Sequence, residues 1–206
     1  MLNIVIIAMF LNIFEVVMGK KPLSENHVKS LRKLVADNPL HSLLLNLSVD
    51  LMLRSSDLLS LKVSDLLHES GKVKSDVKVK TKKTGKTTLS LPLSKNSIDA
   101  IKRHLEVSDM DKYVFRGNKS HYTNKPITSN HYARIVKKWM TMLGVEDTSK
   151  YSTHSMRKTR PTIIYYKTKN IEVCRRLLAH SNCSATSSYI GIEDRDAVDM
   201  SREYFI

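Results

Sequence analysis

Two histidines, an arginine and a tyrosine near the carboxyl end of the chain have the types and spacing of a site that reacts with phosphate. His154 precedes Arg157 by three residues, so both fall on one face of a helix start, where free backbone N–H groups favour an anion. His180 follows the next apolar run, and Tyr189 comes nine residues later. A tyrosine hydroxyl beside guanidinium and imidazole groups suggests a covalent phosphoryl intermediate.

Short helices are expected to position these residues. Asn170 is predicted to be the N-cap of a helix from Ile171 to Leu178, and Ser184 the N-cap of the short polar helix that holds the tyrosine. Pro161 falls four residues after Arg157, in what should be the interior of one helix, where proline removes a backbone hydrogen bond. The sequence therefore predicts either a kink in that helix or a displaced arginine.

The order of these motifs, His-x-x-Arg, then Leu-x-His, then a tyrosine nine positions later, resembles the tyrosine recombinases, or phage integrases. Upstream, the segment 51–61 resembles the first arginine box of that family, with Arg54 as its arginine. The segment 80–86, followed by Leu-Pro-Leu at 91–93, is similar to the lysine hairpin of the family. The resemblance covers roughly residues 20 to 191, with five motifs in the family order.

The resemblance implies a role for each matched residue. The two arginines would bind the non-bridging phosphate oxygens, and the histidines would donate further hydrogen bonds or hold a proton near the nucleophile. The tyrosine would attack to give a 3′-phosphotyrosyl link, and the lysine would protonate the leaving 5′ oxygen. The implied catalytic residues are Arg54, Lys83, His154, Arg157, His180 and Tyr189, with Lys82 and Lys86 as alternatives to Lys83.

Two further features concern the first arginine box. Asp57 lies one helical turn after Arg54 and is expected to orient its guanidinium. Met52 stands where the family usually has glycine. The residue at 52 is therefore a departure from the family pattern.

The chain is expected to divide into an apolar segment, residues 1–22, and an integrase-like catalytic domain, residues 23–206. The first segment is interpreted as the remnant of a lost upstream domain, as a helix that packs on the catalytic domain, or as a membrane anchor. The anchor is the least favoured, because the apolar run is shorter than the roughly 20 residues that a spanning helix needs. The amino-terminal core-binding domain that family members usually carry is expected to be missing. The tail, residues 193–206, is predicted to dock, either in cis or on a neighbouring protomer.

Composition points to a polyanionic partner. Lysine and arginine number 34 against 20 acidic residues, a net charge of +14, which favours a polyanion, either nucleic acid or an anionic membrane. The resemblance to the tyrosine recombinases implies that the partner is double-stranded DNA. The two cysteines, Cys174 and Cys183, give neither a disulfide framework nor zinc spacing, and a reducing cytosol is the simplest location. Neither a metal site nor a glycine-rich nucleotide loop is present in the sequence, so no metal and no cofactor is expected.

The expected fold class is mainly α with a small antiparallel β-hairpin (α+β), like the tyrosine recombinase catalytic domain. Alternating runs at 73–79 and 87–93, with Thr84-Gly85 between them, predict the hairpin. An apolar run from 40 to 53 predicts a buried helix that ends at Arg54. Another amphipathic helix is predicted by apolar residues at i, i+3, i+4, i+7 and i+8, namely Tyr132, Ile135, Val136, Trp139 and Met140.

The sequence thus favours site-specific DNA recombination (integration, excision, inversion or resolution) by strand cleavage and rejoining, carried out by a tetramer on paired sites. The first alternative is a DNA-binding protein of the same family with a decayed active site. A type IB topoisomerase, which uses a related set of residues, is the second. The third is a basic protein tethered to a membrane.

Overall fold

Helices dominate the structure, a computed structural model that describes residues 19–107, 112–116 and 125–203. In these ranges one two-stranded antiparallel sheet accompanies ten α-helices, so the predicted fold class is confirmed. The helices are α1 (Glu25–Leu34), α2 (Pro39–Leu51), α3 (Ser55–Leu59), α4 (Val63–Leu66), α5 (Lys95–Val107), α6 (Ser129–Met142), α7 (Thr153–Thr168), α8 (Ile171–Leu178), α9 (Cys183–Ile190) and α10 (Asp194–Glu203). The strands are β1 (Asp76–Val77) and β2 (Leu91–Pro92).

Helix α2 is the centre of the core. Its N-cap is Asn38, whose side chain accepts the N–H of His41, and Pro39 occupies the first turn, where proline loses no helical hydrogen bond. Every residue from Leu43 to Leu51 is buried, and the helix packs against α1, α5 and α7. An apolar helix was expected here, but it ends at Leu51 rather than at Arg54.

A left-handed residue ends α2. Met52 has φ 50° and ψ 29° and is 2% exposed. An L residue in this region carries a cost of about 1 kcal/mol, which glycine avoids. This conformation explains why glycine is usual at the position in the family. The chain then turns, so that Arg54 becomes the N-cap residue of α3.

The predicted hairpin is present with shorter strands than expected. Val77 pairs with Leu91, and further along Lys80 pairs with Thr87. Three residue steps on the first strand thus correspond to four on the second. One extra residue on the second strand produces a β-bulge, which interrupts the ladder. Gly85, with φ +66°, provides the turn at the tip.

A buried carboxylate fixes α7 relative to α2 and α5. Asp50, 4% exposed, accepts hydrogen bonds from the backbone N–H of Ser94 at 2.7 Å and from Ser97 Oγ at 2.6 Å. Arg160 of α7 donates Nη1 to the backbone oxygen of Asp50 at 2.7 Å. Buried polar groups need such partners. The contact is one of those that join α7 to α2.

Helix α7 runs from Thr153 to Thr168 with Pro161 inside it. Because proline has no N–H, the carbonyl of Arg157 lacks its usual donor four residues later. The carbonyl of Pro161 accepts the thiol of Cys174 in α8, with Sγ at 3.3 Å. The helix is continuous through the proline, and the side chain of Arg157 still reaches the predicted site, as described below. Of the two predicted alternatives, the displacement of Arg157 is therefore wrong, and the kink in the helix stays a prediction.

Replacing Pro161 by alanine is expected to stabilise the protein by about 1 kcal/mol. An interior proline costs about 3 kcal/mol, whereas the two buried methylenes lost in alanine are worth about 1.6 kcal/mol. Urea unfolding of Pro161→Ala against the parent chain measures the difference. Pro39→Ala is the matched control, because proline is favourable at a first turn, so this variant should not be stabilised. A less stable Pro161→Ala protein would contradict the account.

The remaining helices largely follow the sequence prediction. Asn170 caps α8 through the N–H of Val173, as predicted. The cap of α9 is Asn182 rather than Ser184, and its side chain accepts the N–H of Ala185. In α6 the five apolar positions predicted to face the core are all buried.

The ends of the chain are described only in part. In the tail, Ala197 and Val198 are exposed on α10, and residues 204–206 lie outside the described residues. Residues 1–18 of the apolar amino-terminal segment lie outside them as well. No helix in the described ranges is long and apolar enough to cross a membrane.

Candidate active site

The hydroxyl of Tyr189, on α9, is buried and has no hydrogen-bond partner among the described residues. The ring of His180 lies edge-on to the tyrosine ring, with centroids 5.1 Å apart, and the ring of His154 lies at 6.5 Å. Lys158 Nζ lies over the tyrosine ring, 5.1 Å from its centroid. An unpaired buried hydroxyl reduces stability. Tyr132 and Thr162 also have buried hydroxyls without a partner in the described ranges, and the hydroxyl of Tyr189 differs from them because basic side chains surround its ring.

Arg157 links α7 to the end of α8. The side chain is 5% exposed, and its Nη2 donates to the carbonyl oxygen of Leu178 at 2.8 Å. Burial lowers the pKa of Arg157, while the nearby phenol of Tyr189 and the carboxylate of Asp57 act to raise it. The guanidinium therefore lies beside the tyrosine.

Arg54, at the start of α3, also lies near Tyr189. The positive charge of Arg54 acts to lower the pKa of His180, of Tyr189 and of Arg157. Within the described part of the chain, no carboxylate forms an ion pair with Arg54 or Arg157. Two neighbouring guanidinium groups without counter-ions form a site for an anion, and their geometry suits a phosphate.

Both histidines of the cluster are held neutral. Burial, Arg157 and Arg54 lower the pKa of His180 to about 4. Burial, then Arg157, Lys158 and Arg54, lower the pKa of His154. A neutral imidazole has one nitrogen that accepts a proton. Each histidine is therefore able to act as an acceptor near the tyrosine.

The tautomer of His180 follows from its neighbour in α9. His180 Nδ1 lies 3.2 Å from Thr186 Oγ1, and the hydroxyl of Thr186 donates to the backbone oxygen of Asn182, also at 3.2 Å. Because a hydroxyl has one proton to donate, Thr186 accepts from Nδ1–H. The accepting nitrogen of His180 is therefore Nε2.

The phenol of Tyr189 is protonated in the free protein. Burial raises the pKa of Tyr189, and the positive charges of Arg157 and Arg54 oppose that rise. Arg157 and Arg54 would also stabilise the negative charge that forms on the phenol oxygen of Tyr189 when its proton leaves. The site thus keeps the hydroxyl neutral until a proton acceptor removes its proton.

The lysine hairpin is tied to the site through its backbone. Asp57 is 1% exposed, and its Oδ1 accepts the N–H of Lys82 at 2.9 Å. The expected contact between Asp57 and the guanidinium of Arg54 is absent from the hydrogen bonds and ion pairs of the described residues. Asp57 instead anchors the hairpin and acts to raise the pKa of Arg157.

Five of the six predicted site residues lie in one cluster, and Lys83 does not. The side chains of Lys82, Lys83 and Lys86 are all exposed at the hairpin tip. Since their backbone is held beside the cluster by Asp57, each remains able to approach a substrate. The choice of Lys83 among the three stays a prediction.

Sequence reasoning missed the residues that hold the loop before α9. Arg175 forms two hydrogen bonds to the carboxylate of Glu172, both at 2.6 Å, and its Nη1 donates to the carbonyl oxygen of His180 at 2.9 Å. The Glu-x-x-Arg spacing predicts the pair on a helix, but the contact with His180 depends on the path of the loop. Lys158 was missed too, because its neighbour is a ring 31 residues away.

The stability of the free protein should fall as the pH is lowered from about 7 toward 4. The pKa of His180 is about 4 in the fold and about 6.5 in the unfolded chain. Between these values the unfolded chain binds more protons, so the free energy of unfolding rises with pH through this window. Urea unfolding at several pH values measures the slope, which should be shallower in His180→Gln.

His68→Gln is the control for this measurement, because His68 is exposed and lies outside the cluster. Its slope should match that of the parent chain. An unchanged slope in His180→Gln would contradict a neutral, buried His180. No group of potential metal ligands occurs among the described residues.

The sequence and the fold of the chain are similar to those of known proteins. A sequence model described as the phage integrase family matches residues 21–195. The probable integrase/recombinase YoeC of Bacillus subtilis is 32% identical over 142 residues, covering 69% of this chain and 72% of the relative. Tyrosine recombinase XerA of Pyrococcus horikoshii is 29% identical over 186 residues, covering 88% of this chain and 61% of the relative. The chain thus spans about three fifths of that second relative.

Solved structures share the architecture. The crystal structure of XerA recombinase matches with a TM-score of 0.71 and 18% identity, over 90% of this chain and 65% of that chain. XerH recombinase bound to a palindromic difH substrate, in a post-cleavage complex, matches with a TM-score of 0.68 and 16% identity, over 88% of this chain and 52% of that chain. At such identities the likeness shows the fold, and the chemistry has to be argued from the site.

Proposed function

The chain belongs to the phage integrase family, and from this premise we propose that it carries out site-specific recombination by cutting and rejoining DNA strands through Tyr189. One observation supports the proposal above all others. The hydroxyl of Tyr189 is buried without a partner, beside two arginines that have no ion pair in the described ranges. A hydroxyl in these surroundings can attack an anion that the two guanidinium groups bind.

A DNA phosphodiester is the substrate that this site suits. Arg54 and Arg157 bind the non-bridging oxygens of one phosphate and neutralise the charge that develops on them in the transition state. The surplus of basic residues, a net charge of +14, attracts the neighbouring phosphates and brings the duplex to the site. Sequence-independent affinity should therefore be strong at low salt.

The cleavage step transfers the phosphate from a deoxyribose oxygen to the tyrosine. The phenol oxygen of Tyr189 forms a bond to phosphorus, and its proton passes to a neutral imidazole, His180 or His154. The bond from phosphorus to the 5′ oxygen breaks, and Lys83 gives that oxygen a proton. The product is a 3′-phosphotyrosyl ester and a free 5′ hydroxyl. Attack of a 5′ hydroxyl on the ester reverses the step, so rejoining needs no cofactor.

The partners extend the same proposal. Double-stranded DNA is the substrate, and several copies act together on paired sites, as a tetramer. A palindromic site, such as the difH substrate of the XerH complex, presents two equivalent halves to two copies of one chain.

Both cysteines are free thiols, which agrees with action in the cytoplasm. Residues 23–206 are proposed as the catalytic unit.

A nicked suicide substrate tests the proposal. The substrates are duplexes made from the DNA that flanks the coding sequence, with a nick next to the cleavage position. After cleavage, the short fragment that bears the free 5′ hydroxyl dissociates. Rejoining is then prevented, and the covalent complex is trapped. Denaturing gels should show a protein band shifted by the labelled strand. Retention of DNA without trapping would instead identify a decayed, DNA-binding member of the family. Relaxation of supercoiled DNA at any sequence would identify a topoisomerase.

A further inference from the structure

Lys158 is a buried lysine that forms no ion pair with any residue in the described ranges. Its side chain is 4% exposed, and no ion pair or hydrogen bond joins it to any described residue. Burial lowers the pKa of its ammonium. Two neighbours are close to Nζ. The ring of Tyr189 has its centroid 5.1 Å away, and a Cβ at Gly19 would lie 3.4 Å away. A lysine in such surroundings is unusual unless it has a function.

We propose that Lys158 is a positioning residue for the nucleophile: its ammonium holds the face of the Tyr189 ring and stabilises the negative charge that develops on the phenol during attack. This inference rests on the proposed function, because it concerns the same tyrosine. The contact of Lys158 in the structure is with the ring of Tyr189, and the proposed role acts through that ring.

The arrangement of groups around the ring supports this role. His154 and His180 approach Tyr189 with their rings at 75° and 85° to it, whereas the ammonium of Lys158 lies over the ring face. A cation over a phenol face is attracted by the electron-rich ring. The attraction grows as the phenol gains negative charge, so the contact favours the attacking form over the resting form.

The charged and titratable groups that face Tyr189 come from three parts of the fold. Arg54 belongs to the start of α3, His180 to the loop before α9, and His154, Arg157 and Lys158 to α7. The two arginines act on the phenol from positions where they also bind phosphate, so an incoming phosphate weakens their effect. The charge of Lys158 remains directed at the ring when the anion site is filled.

The first test compares adduct formation by the parent chain, Lys158→Met and Lys158→Arg on the nicked substrate. Methionine keeps the length and packing of the side chain without its charge, and arginine keeps the charge. We expect Lys158→Met to form adduct on the order of tenfold more slowly, the effect of one partly desolvated cation–π contact. Its pH profile should shift to higher pH, DNA binding should be unchanged, and Lys158→Arg should recover most of the rate.

A second measurement does not depend on DNA cleavage. Difluorotyrosine at position 189 titrates nearer to neutral pH than tyrosine, and its ultraviolet absorbance follows ionisation directly. Its midpoint should be higher in the Lys158→Met background, by about one pH unit if the rate effect is tenfold. Lys158→Gln serves as a second neutral variant if the methionine variant does not fold.

The outcomes separate the two proposals. A parent chain that forms no adduct contradicts the proposed function, and the titration still decides the role of Lys158. A parent chain that forms adduct, with equal rates and equal midpoints in Lys158→Met, overturns the role of Lys158 alone. A slower Lys158→Met whose pH profile and midpoint do not move would show that the lysine only packs the core, and would overturn the role as well.

Discussion

Replacing Tyr189 by phenylalanine is expected to abolish covalent linkage to DNA while leaving DNA affinity unchanged. The substitution removes one oxygen, which meets no hydrogen-bond criterion in the described structure, although it lies close enough to the guanidinium of Arg157 for that group to oppose the rise that burial causes in the pKa of Tyr189. Arg54 and Arg157, which bind the phosphate in the proposed complex, keep their surroundings. The fold should be as stable as before or slightly more stable, because an unpaired buried hydroxyl is lost. Denaturing gels for the adduct and a filter-binding titration measure the two properties separately.

Tyr166→Phe is the matched control for this experiment. Tyr166 lies on α7 and is 50% exposed, so the same change removes a hydroxyl far from any role in attack. Its adduct yield should equal that of the parent chain. An adduct that persists in Tyr189→Phe would remove Tyr189 from the role of nucleophile. Loss of DNA binding in the same variant would mean that the hydroxyl contacts DNA in the ground state.

The residues of the cluster could be predicted from the sequence because each lies within a short motif. The His-x-x-Arg spacing places His154 and Arg157 on one face of a helix start, and a single loop separates His180 from the helix of Tyr189. Local rules of this kind also predicted the cap of α8 at Asn170 and the buried face of α6. The motif order then gave the family, which the family model over residues 21–195 confirms.

Contacts between distant segments could not be predicted in this way. Asp57 was expected to bind Arg54, its neighbour in sequence, but its carboxylate accepts the N–H of Lys82, 25 residues away. The ring face of Tyr189 meets Lys158 for the same reason, since the packing of α9 on α7 brings them together. Such contacts are set by tertiary packing. The sequence around a charged residue next to a motif arginine does not indicate which distant residue it will contact.

The two departures from the family pattern have structural explanations. Met52 occupies a left-handed position, with φ 50°, that glycine would adopt without strain. Pro161 removes a hydrogen bond from α7 but leaves the helix continuous and Arg157 at the site. Both residues are expected to reduce stability, and they lie two residues before Arg54 and four residues after Arg157. The partly buried contact of Asp50 with Arg160 joins α2 and α7 between those two positions.

Replacing Arg157 by lysine should lower the rate of adduct formation by about 100- to 1,000-fold, which is the usual effect of removing one preorganised donor to a developing oxyanion. A lysine keeps the charge, but a single ammonium cannot make two parallel hydrogen bonds to phosphate while also donating to the carbonyl of Leu178. Single-turnover cleavage of the nicked substrate at saturating protein measures the rate without a contribution from affinity.

Arg160→Lys distinguishes this effect from a general disturbance of α7. Arg160 lies three residues further along the same helix and donates to the backbone oxygen of Asp50 rather than to the site. Its replacement should cost about 1 kcal/mol of stability through a weakened hydrogen bond and leave the cleavage rate of the folded protein unchanged. Equal losses of cleavage rate in both variants would show that a change at either position of α7 disturbs the surroundings of Tyr189. In that case the rate of Arg157→Lys would say nothing about a phosphate contact.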